Sequence, residues 1–193
     1  EHGLYENCDP KYNKTIDRNG SFVIATNNFP TGARFWFPCF DEFQRKTTFD
    51  LRVSHPKALN VYSNTDIHRT ENHLDSNRIN SIFAKTSPMS TYQLVLSVNQ
   101  FPVDNLGKLH GFKRVRIISS LNNPEVNLKE IQRNLITANL DHLKNVSSTL
   151  CEQLSGNLDI IFLDGTFLFT VNPGLITIGR YNYFRDPETE KKR

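Results

Sequence analysis

The histidines are the residues of this sequence that could hold a catalytic metal ion. Six of them are scattered along the chain: His2, His55, His68, His73, His110 and His142. A zinc-binding helix of a metallopeptidase carries His-Glu-x-x-His, which puts both imidazoles on one helical face. His68 and His73 have Glu71 between them, but they are one position too far apart for that face and lie in a polar stretch. The sequence therefore predicts no metal site in this chain.

Carboxylates, arginines and a thiol are the other candidates for chemistry. Asp41 and Glu42 could form an acid–base pair, but adjacent acidic residues more often satisfy backbone groups and cap turns. Arg114 and Arg116 lie on one face of a predicted strand and could bind an anion, although such a face is more often solvated. Cys39 stands among large apolar residues, which predicts a buried free thiol. We therefore predict no catalytic residue.

Two short apolar runs within Leu158–Ile178 predict a candidate binding edge. The runs are LDIIFL and FLFTV, with the turn signal Asp164-Gly165 between them and Asn172-Pro173-Gly174 after the second. Proline removes a backbone donor and is confined to the edges of sheets, so the second run is predicted to be an edge strand. The free N–H and C=O groups of such a strand can bind an extended peptide.

Length, charge and sequons narrow the class of protein. The 193 residues suit one large domain or slightly more, and a net charge of +3 with scattered basic residues argues against nucleic-acid binding. No apolar run is long enough to span a bilayer. N-glycosylation sequons begin at Asn13, Asn19 and Asn145 and favour an extracellular or cell-surface glycoprotein. The odd number of cysteines cannot all pair within one chain, and a Cys8–Cys151 bridge stays open.

Hydrophobic periodicity places these residues on strands and one helix. Apolar patterning predicts short strands at 22–26, 48–53, 94–98 and 112–118, with a polar hairpin region at 67–80. From Pro124 to Leu154, apolar residues recur mostly at steps of three and four, which predicts an amphipathic helix that Gly156 can end. The architecture is therefore predicted to change near residue 120.

The segment Ala33–Glu42 (ARFWFPCFDE) carries a resemblance to a known family. Its aromatic residues, broken by Pro38, do not suit a regular element and predict a packing plug. TTFDL, HP, SN and SPMSTY follow it in that order. This series resembles the N-terminal β domain of M1-family zinc aminopeptidases. The sequence departs from the family at Phe43, where proline is usual, and at Thr47, where alanine is usual.

The resemblance implies a mainly β fold. We expect residues 1–119 to form the saddle-like antiparallel β domain of M1 peptidases, incomplete at its start. We expect residues 120–193 to form the α/β start of a thermolysin-like catalytic domain. In the family, the helix that binds zinc follows shortly after this segment, so the chain is expected to stop before it. Zinc is the cofactor of active members, and none is expected in this chain.

The resemblance also assigns candidate substrate-binding residues. The run GLIT at 174–177 matches the residues that follow the family's Gly-x-Met-Glu-Asn motif. That motif then falls on Leu168, Phe169, Thr170, Val171 and Asn172. In active members the glutamate binds the free amino group of the substrate, but Val171 cannot pair with an ammonium group. Leu168 replaces the glycine, and its side chain would crowd an approaching backbone.

These substitutions predict a degenerate member of the lineage, a pseudoenzyme that binds a peptide or protein ligand without catalysis. One alternative is an active zinc aminopeptidase that releases N-terminal amino acids and carries His-Glu-x-x-His beyond Arg193. A weaker alternative is a zinc-free structural interaction module.

Overall fold

The computed structural model describes residues 3–6, 8–9, 14–15, 23–109, 112–119, 134, 136–137, 156–163 and 169–179. Over these residues the regular structure is mainly β, as predicted, with single turns of 3-10 helix at Ala33–Phe35 and Thr91–Gln93. The strands in chain order are β1 Gly3–Glu6, β2 Cys8–Asp9, β3 Lys14–Thr15, β4 Val23–Asn27, β5 Lys46–Thr47, β6 Arg52–Pro56, β7 Asn60–Ser63, β8 Ile67–Asn72, β9 Arg78–Phe83, β10 Met89–Ser90, β11 Leu96–Asn99, β12 Val103–Leu109, β13 Phe112–Ser119, β14 Asn157–Leu163, β15 Phe169–Asn172 and β16 Leu175–Gly179.

A four-stranded antiparallel sheet, in the order β1-β4-β11-β7, is covered on both faces. Successive residues of a strand point to opposite faces, and here both faces are apolar. Val23 and Tyr62 pack in one core, whereas Ile24 and Val61 pack in another. The second core includes Phe83 from the three-stranded sheet β6-β9-β8. The four-stranded sheet therefore lies between two other layers.

The layer on its other side is a five-stranded mixed sheet in the order β12-β13-β14-β16-β15. β14 pairs in parallel with β13 and with β16, whereas the outer pairs β12–β13 and β15–β16 are antiparallel. Parallel strands need a crossover connection of a dozen or more residues, commonly a helix. Residues 120–156 make that connection between β13 and β14, and within them Asn134, Ile136 and Thr137 are helical. The rest of the predicted helix lies outside the described residues.

The apolar run of β14 follows from burial on both of its faces. Ile161 and Leu163 face the four-stranded sheet, while Leu158, Ile160 and Phe162 pack with Ile136 on the opposite side. A strand that is covered on both faces has no solvent side, so the run at 160–163 is apolar without alternation, and the buried Asp159 is the charged residue of the strand.

The predicted boundary between residues 119 and 120 falls inside the mixed sheet. β12 and β13 precede it, and β13 forms one ladder with β14 that extends from Arg114–Asn157 to Ser119–Phe162. The boundary itself stays a prediction. The pairing nevertheless means that strands from both predicted domains share one hydrogen-bonded sheet.

The aromatic segment forms a packing plug in part. Ala33 is buried, and Trp36 donates from Nε1 to Asn28 Oδ1 at 2.9 Å. The plug prediction is wrong for Phe35 and Phe40, which are exposed to 68% and 70%. The 3-10 turn Ala33–Phe35 points one small residue inward, and the chain beyond Trp36 runs without regular structure, so the rings of Phe35 and Phe40 are left at the surface.

Candidate peptide-binding edge

β15 lies at one edge of the mixed sheet. Its register with β16 runs from Phe169 opposite Ile178 to Asn172 opposite Leu175, and among the described strands β16 is its single neighbour. Val171 is 63% exposed. The predicted edge position is thus observed, but Pro173 is in the turn after the strand rather than within it. Leu168, the first residue of the predicted motif, lies outside the described residues.

The turn after β15 approaches the four-stranded sheet closely. Gly174 has a φ of +77°, the left-handed conformation that glycine adopts without strain at the third position of a type II turn. A Cβ atom at Gly174 would lie 2.1 Å from the backbone oxygen of Asn64. On its other side, Gly174 accepts a hydrogen bond at 2.9 Å from the backbone N–H of Asp159. The turn therefore lies between β14 and the segment that follows β7.

Asn64 connects this turn to the four-stranded sheet. Its Nδ2 donates to the carbonyl oxygens of Gln93 and Pro173, both at 2.9 Å. Its Oδ1 accepts from the N–H of Val95 at 3.0 Å. Asn64 belongs to the SN pair of the sequence, but the sequence assigned it no role. Its partner Pro173 is 109 positions away, and no local pattern signals a contact of that range.

Paired charges lie beside the turn. Arg116 binds Asp159 through two hydrogen bonds, of 2.7 Å from Nε and 2.6 Å from Nη2. Arg114 and Asn157 both donate to the carboxylate of Asp66. The two guanidinium groups are thus held by protein carboxylates, so the suggestion that this face binds an anion is not supported. These pairs join the segment after β7 to β13 and β14.

Burial and pairing shift two pKa values at this junction. Burial by itself lowers the pKa of Arg116, but the hydrogen bonds and charge of Asp159 outweigh it and raise that pKa overall. Burial raises the pKa of Tyr62, against a lowering by the positive charge of Arg116, whose guanidinium lies 5.4 Å from the centre of the tyrosine ring. Arg116 therefore stays charged and Tyr62 stays neutral over the ordinary range of pH.

The acidic pair of the aromatic segment has a structural role at Asp41. That carboxylate is buried and accepts hydrogen bonds from the backbone N–H of Arg34 at 3.2 Å and from Thr91 Oγ1 at 2.8 Å. Glu42 is at the surface and pairs with Arg45 at 2.8 Å. One carboxylate fixes a loop and the other faces solvent, so the two do not form an acid–base pair.

The described histidines are dispersed and do not form a zinc site. His55 is buried, and its ring nitrogens contact Pro56 O at 2.9 Å and Ser81 Oγ at 2.8 Å. His73 Nδ1 accepts from the N–H of Asp75 at 3.0 Å. Within the described part of the chain, no three His, Cys, Asp or Glu side chains are grouped closely enough to hold a metal ion.

The sequons and the three cysteines are described only in part. Asn13, Asn19 and Asn145 lie outside the described residues. Cys39 is a free thiol, as predicted, although it is half-buried rather than fully buried. Burial raises its pKa, and the nearby charge of Asp41 raises it further. Over the same described stretches, no helix has the length and apolar character needed to cross a bilayer.

Comparison with known proteins decides the family. The model of the peptidase M1 N-terminal domain matches residues 1–93. This chain contains the N-terminal region of the peptidase M1 family. Mouse glutamyl aminopeptidase is 31% identical over 180 residues, which are 91% of the chain and 18% of the mouse protein. Human glutamyl aminopeptidase is 37% identical over 103 residues, or 50% of the chain and 11% of that protein.

The similarity extends beyond mammals. Aminopeptidase A of the viper Gloydius brevicauda is 38% identical over 92 residues, which are 47% of the chain and 10% of the viper protein. The M1 region described here thus spans at most about a fifth of the length of these curated relatives. The match to the mouse protein covers most of the chain, including strands on both sides of residue 119.

Proposed function

We propose that this M1 N-terminal region binds an extended peptide along β15 and has no peptidase activity of its own. The observation that carries the proposal is the edge position of β15 together with the exposed side chain of Val171. A peptide that adds to this edge would form backbone hydrogen bonds with N–H and C=O groups that face away from β16. Affinity would then come from the backbone, and selectivity from alternate side chains.

Val171 removes the means of recognising a free amino terminus. A carboxylate at this position could pair with an ammonium group, whereas the methyl groups of valine cannot accept a hydrogen bond. Truncating one partner of a buried charge pair typically costs about 2–5 kcal/mol. A peptide bound at this edge is therefore expected to have the same affinity whether its terminus is a free amine or an acetyl group.

Fluorescence anisotropy tests this proposal directly. The probe is a hexapeptide of alternating valine and threonine with fluorescein at its C-terminus, made with a free and with an acetylated N-terminus. We expect binding of both forms with equal affinity. Val171→Glu should favour the free amine, whereas Val171→Thr, which has no charge, should not. Failure of both forms to bind, or a wild-type preference for the free amine, would contradict the proposal.

The lack of catalysis follows from the ligands that zinc needs. The 193 residues contain no His-Glu-x-x-His sequence, and a hydrolytic zinc site needs three protein ligands with an open position. We expect no release of p-nitroaniline from glutamyl or alanyl p-nitroanilide, with or without added zinc. Turnover together with one zinc ion per chain would refute this part of the proposal.

The relatives favour a second candidate function. The mouse, human and Gloydius brevicauda relatives are named as aminopeptidases, and the chain matches a small part of the length of each protein. The region would then belong to an active zinc aminopeptidase that holds its substrate without a glutamate at position 171. Sequencing of the longest native transcript separates the two candidates. A downstream His-Glu-x-x-His with a further glutamate would favour the enzyme, and its absence would favour the binding role.

We also propose that the protein is glycosylated and acts outside the cell or at its surface. Sequons at Asn13, Asn19 and Asn145 support this location. Expression through a eukaryotic secretory pathway should give a product whose electrophoretic mobility increases after peptide-N-glycosidase treatment. Unchanged mobility would remove the support that the sequons give.

A further inference from the structure

We infer that Asn64 is a positioning residue that holds the β15 edge in place from the neighbouring sheet. Its amide group is within hydrogen-bonding distance of the turn that ends β15, although it belongs to the segment after β7. This inference rests on the proposed function, because it concerns how the peptide-binding edge is aligned. It adds that the alignment is set across the junction of two sheets, by one side chain.

Both the nitrogen and the oxygen of the Asn64 side-chain amide form hydrogen bonds. Nδ2 donates to Pro173 O and to Gln93 O, both at 2.9 Å, while Oδ1 accepts from Val95 N–H at 3.0 Å. Asn64 is 9% exposed as a residue, so little water reaches these partners. Oδ1 and one N–H of the amide fix it to the segment 93–95, which leads into β11, and the other N–H is aimed at the turn.

The backbone of the turn is contacted from both sides by Asn64 and Asp159. Pro173 has no N–H, so its carbonyl is the backbone polar group that it can offer, and Asn64 binds that carbonyl. Gly174 approaches the Asn64 backbone so closely that no side chain fits between them. The Asp159 N–H bond to Gly174 O fixes the opposite side of the turn at 2.9 Å. A shift of Asn64 must therefore move the end of β15.

The test separates positioning from general stability. Asn64→Asp keeps an acceptor for Val95 but has no donor for Pro173 or Gln93. Ser63→Ala removes the adjacent buried bond from Ser63 Oγ to Val95 O, of 2.7 Å, which does not involve the turn. Hydrogen exchange is measured by mass spectrometry on peptides that cover 170–177. We expect exchange there to quicken about tenfold or more in Asn64→Asp and to change little in Ser63→Ala.

Binding of the acetylated valine–threonine hexapeptide gives the second measurement. We expect Kd to rise about fivefold or more in Asn64→Asp and to stay unchanged in Ser63→Ala. Equal effects of the two variants on exchange would overturn the inference. Absence of wild-type binding would refute the proposed function alone, since the exchange measurement needs no ligand.

A second variant covers the case in which Asn64→Asp does not fold. Gly174→Ala pushes the turn against the Asn64 backbone from the other side. Because coupling between two sites is reciprocal, we expect Gly174→Ala to quicken hydrogen exchange in peptides that cover residues 62–66. Gly107→Ala, at a positive-φ glycine with open space around it, is the control and should leave those peptides unchanged. Unchanged exchange at 62–66 in Gly174→Ala would overturn the inference.

Discussion

Gly174→Ala should destabilise the fold far more than the same substitution at Gly107. The two glycines have similar backbone conformations, with φ of +77° and +73°, so an alanine at either position pays the same cost of a left-handed backbone, about 1–2 kcal/mol. They differ in their surroundings. A Cβ at Gly107 meets nothing within 4 Å, whereas a Cβ at Gly174 meets the backbone oxygen of Asn64 at 2.1 Å.

The additional cost at Gly174 can be worked out from its hydrogen bonds. Cβ atoms do not approach other heavy atoms closer than 3.0 Å, so the turn or the Asn64 backbone must shift by about 0.9 Å. That shift lengthens the bonds from Asn64 Nδ2 to Pro173 O and from Asp159 N–H to Gly174 O, which are both 2.9 Å. A buried polar group left without its partner costs about 1–3 kcal/mol. We therefore expect Gly174→Ala to cost about 2–4 kcal/mol more than Gly107→Ala.

Urea unfolding followed by tryptophan fluorescence measures both variants against the wild type. Trp36 is the single tryptophan, and it packs at the edge of the core between the four-stranded and three-stranded sheets. Equal m-values would show that the change is in stability and not in the extent of unfolding. If Gly174→Ala lost no more stability than Gly107→Ala, the close approach between the turn and Asn64 would be refuted.

Three further predictions concern charge and titration. In the same urea assay, Asp159→Asn should lower the free energy of unfolding by about 3 kcal/mol, because it leaves the half-buried Arg116 without a counter-charge. Glu42→Gln at the surface should lower it by about 1 kcal/mol or less. Equal losses in the two variants would refute the argument. At mildly alkaline pH, iodoacetamide should alkylate Cys39 more slowly in the folded protein than in urea. Burial raises the pKa of that thiol in the folded protein and so lowers its thiolate fraction. Faster alkylation of the folded protein would contradict this expectation. The ultraviolet absorbance titration of the wild type should contain one tyrosine component that Tyr62→Phe removes. That component should have its midpoint above that of an ordinary tyrosine, since burial raises the pKa of Tyr62. A midpoint at or below the ordinary value would contradict this expectation.

Local pattern was sufficient to predict several strands and the edge, although the strand expected at 48–53 lies at Arg52–Pro56 as β6. β-Branched composition placed β4, and alternation placed β13, each within one residue of its observed bounds. The apolar run at 160–163 fits a strand that is covered on both faces. Pro173 led to the expectation of an edge strand, although it lies in the turn after β15. In each case the signal lies within about ten residues of the sequence, because periodicity and turn chemistry are local properties.

Contacts between distant segments could not be predicted in this way. Asn64 and Pro173 are 109 positions apart in the sequence, and Arg116 and Asp159 are 43 positions apart. No local sequence pattern therefore indicates either contact. Side-chain exposure in the aromatic segment was equally hidden. Phe35 and Phe40 are large apolar residues of the kind that fill a core, but Phe35 at the end of a 3-10 turn and Phe40 in irregular chain are both exposed. Such outcomes depend on the packed arrangement of several sheets, which one sequence window does not contain.

The strand order of the four-stranded sheet bears on how this protein must be made in the cell. β4 lies between β1 and β11, and Thr26 bonds to Leu96 across 70 positions of sequence. At a synthesis rate of about 5–20 residues per second, one side of β4 waits on the order of ten seconds for its partner to leave the ribosome. During that interval a nascent chain carries an unpaired, apolar border that could associate with other chains. We therefore expect folding during translation to depend on a chaperone that shields β4 until β11 has emerged.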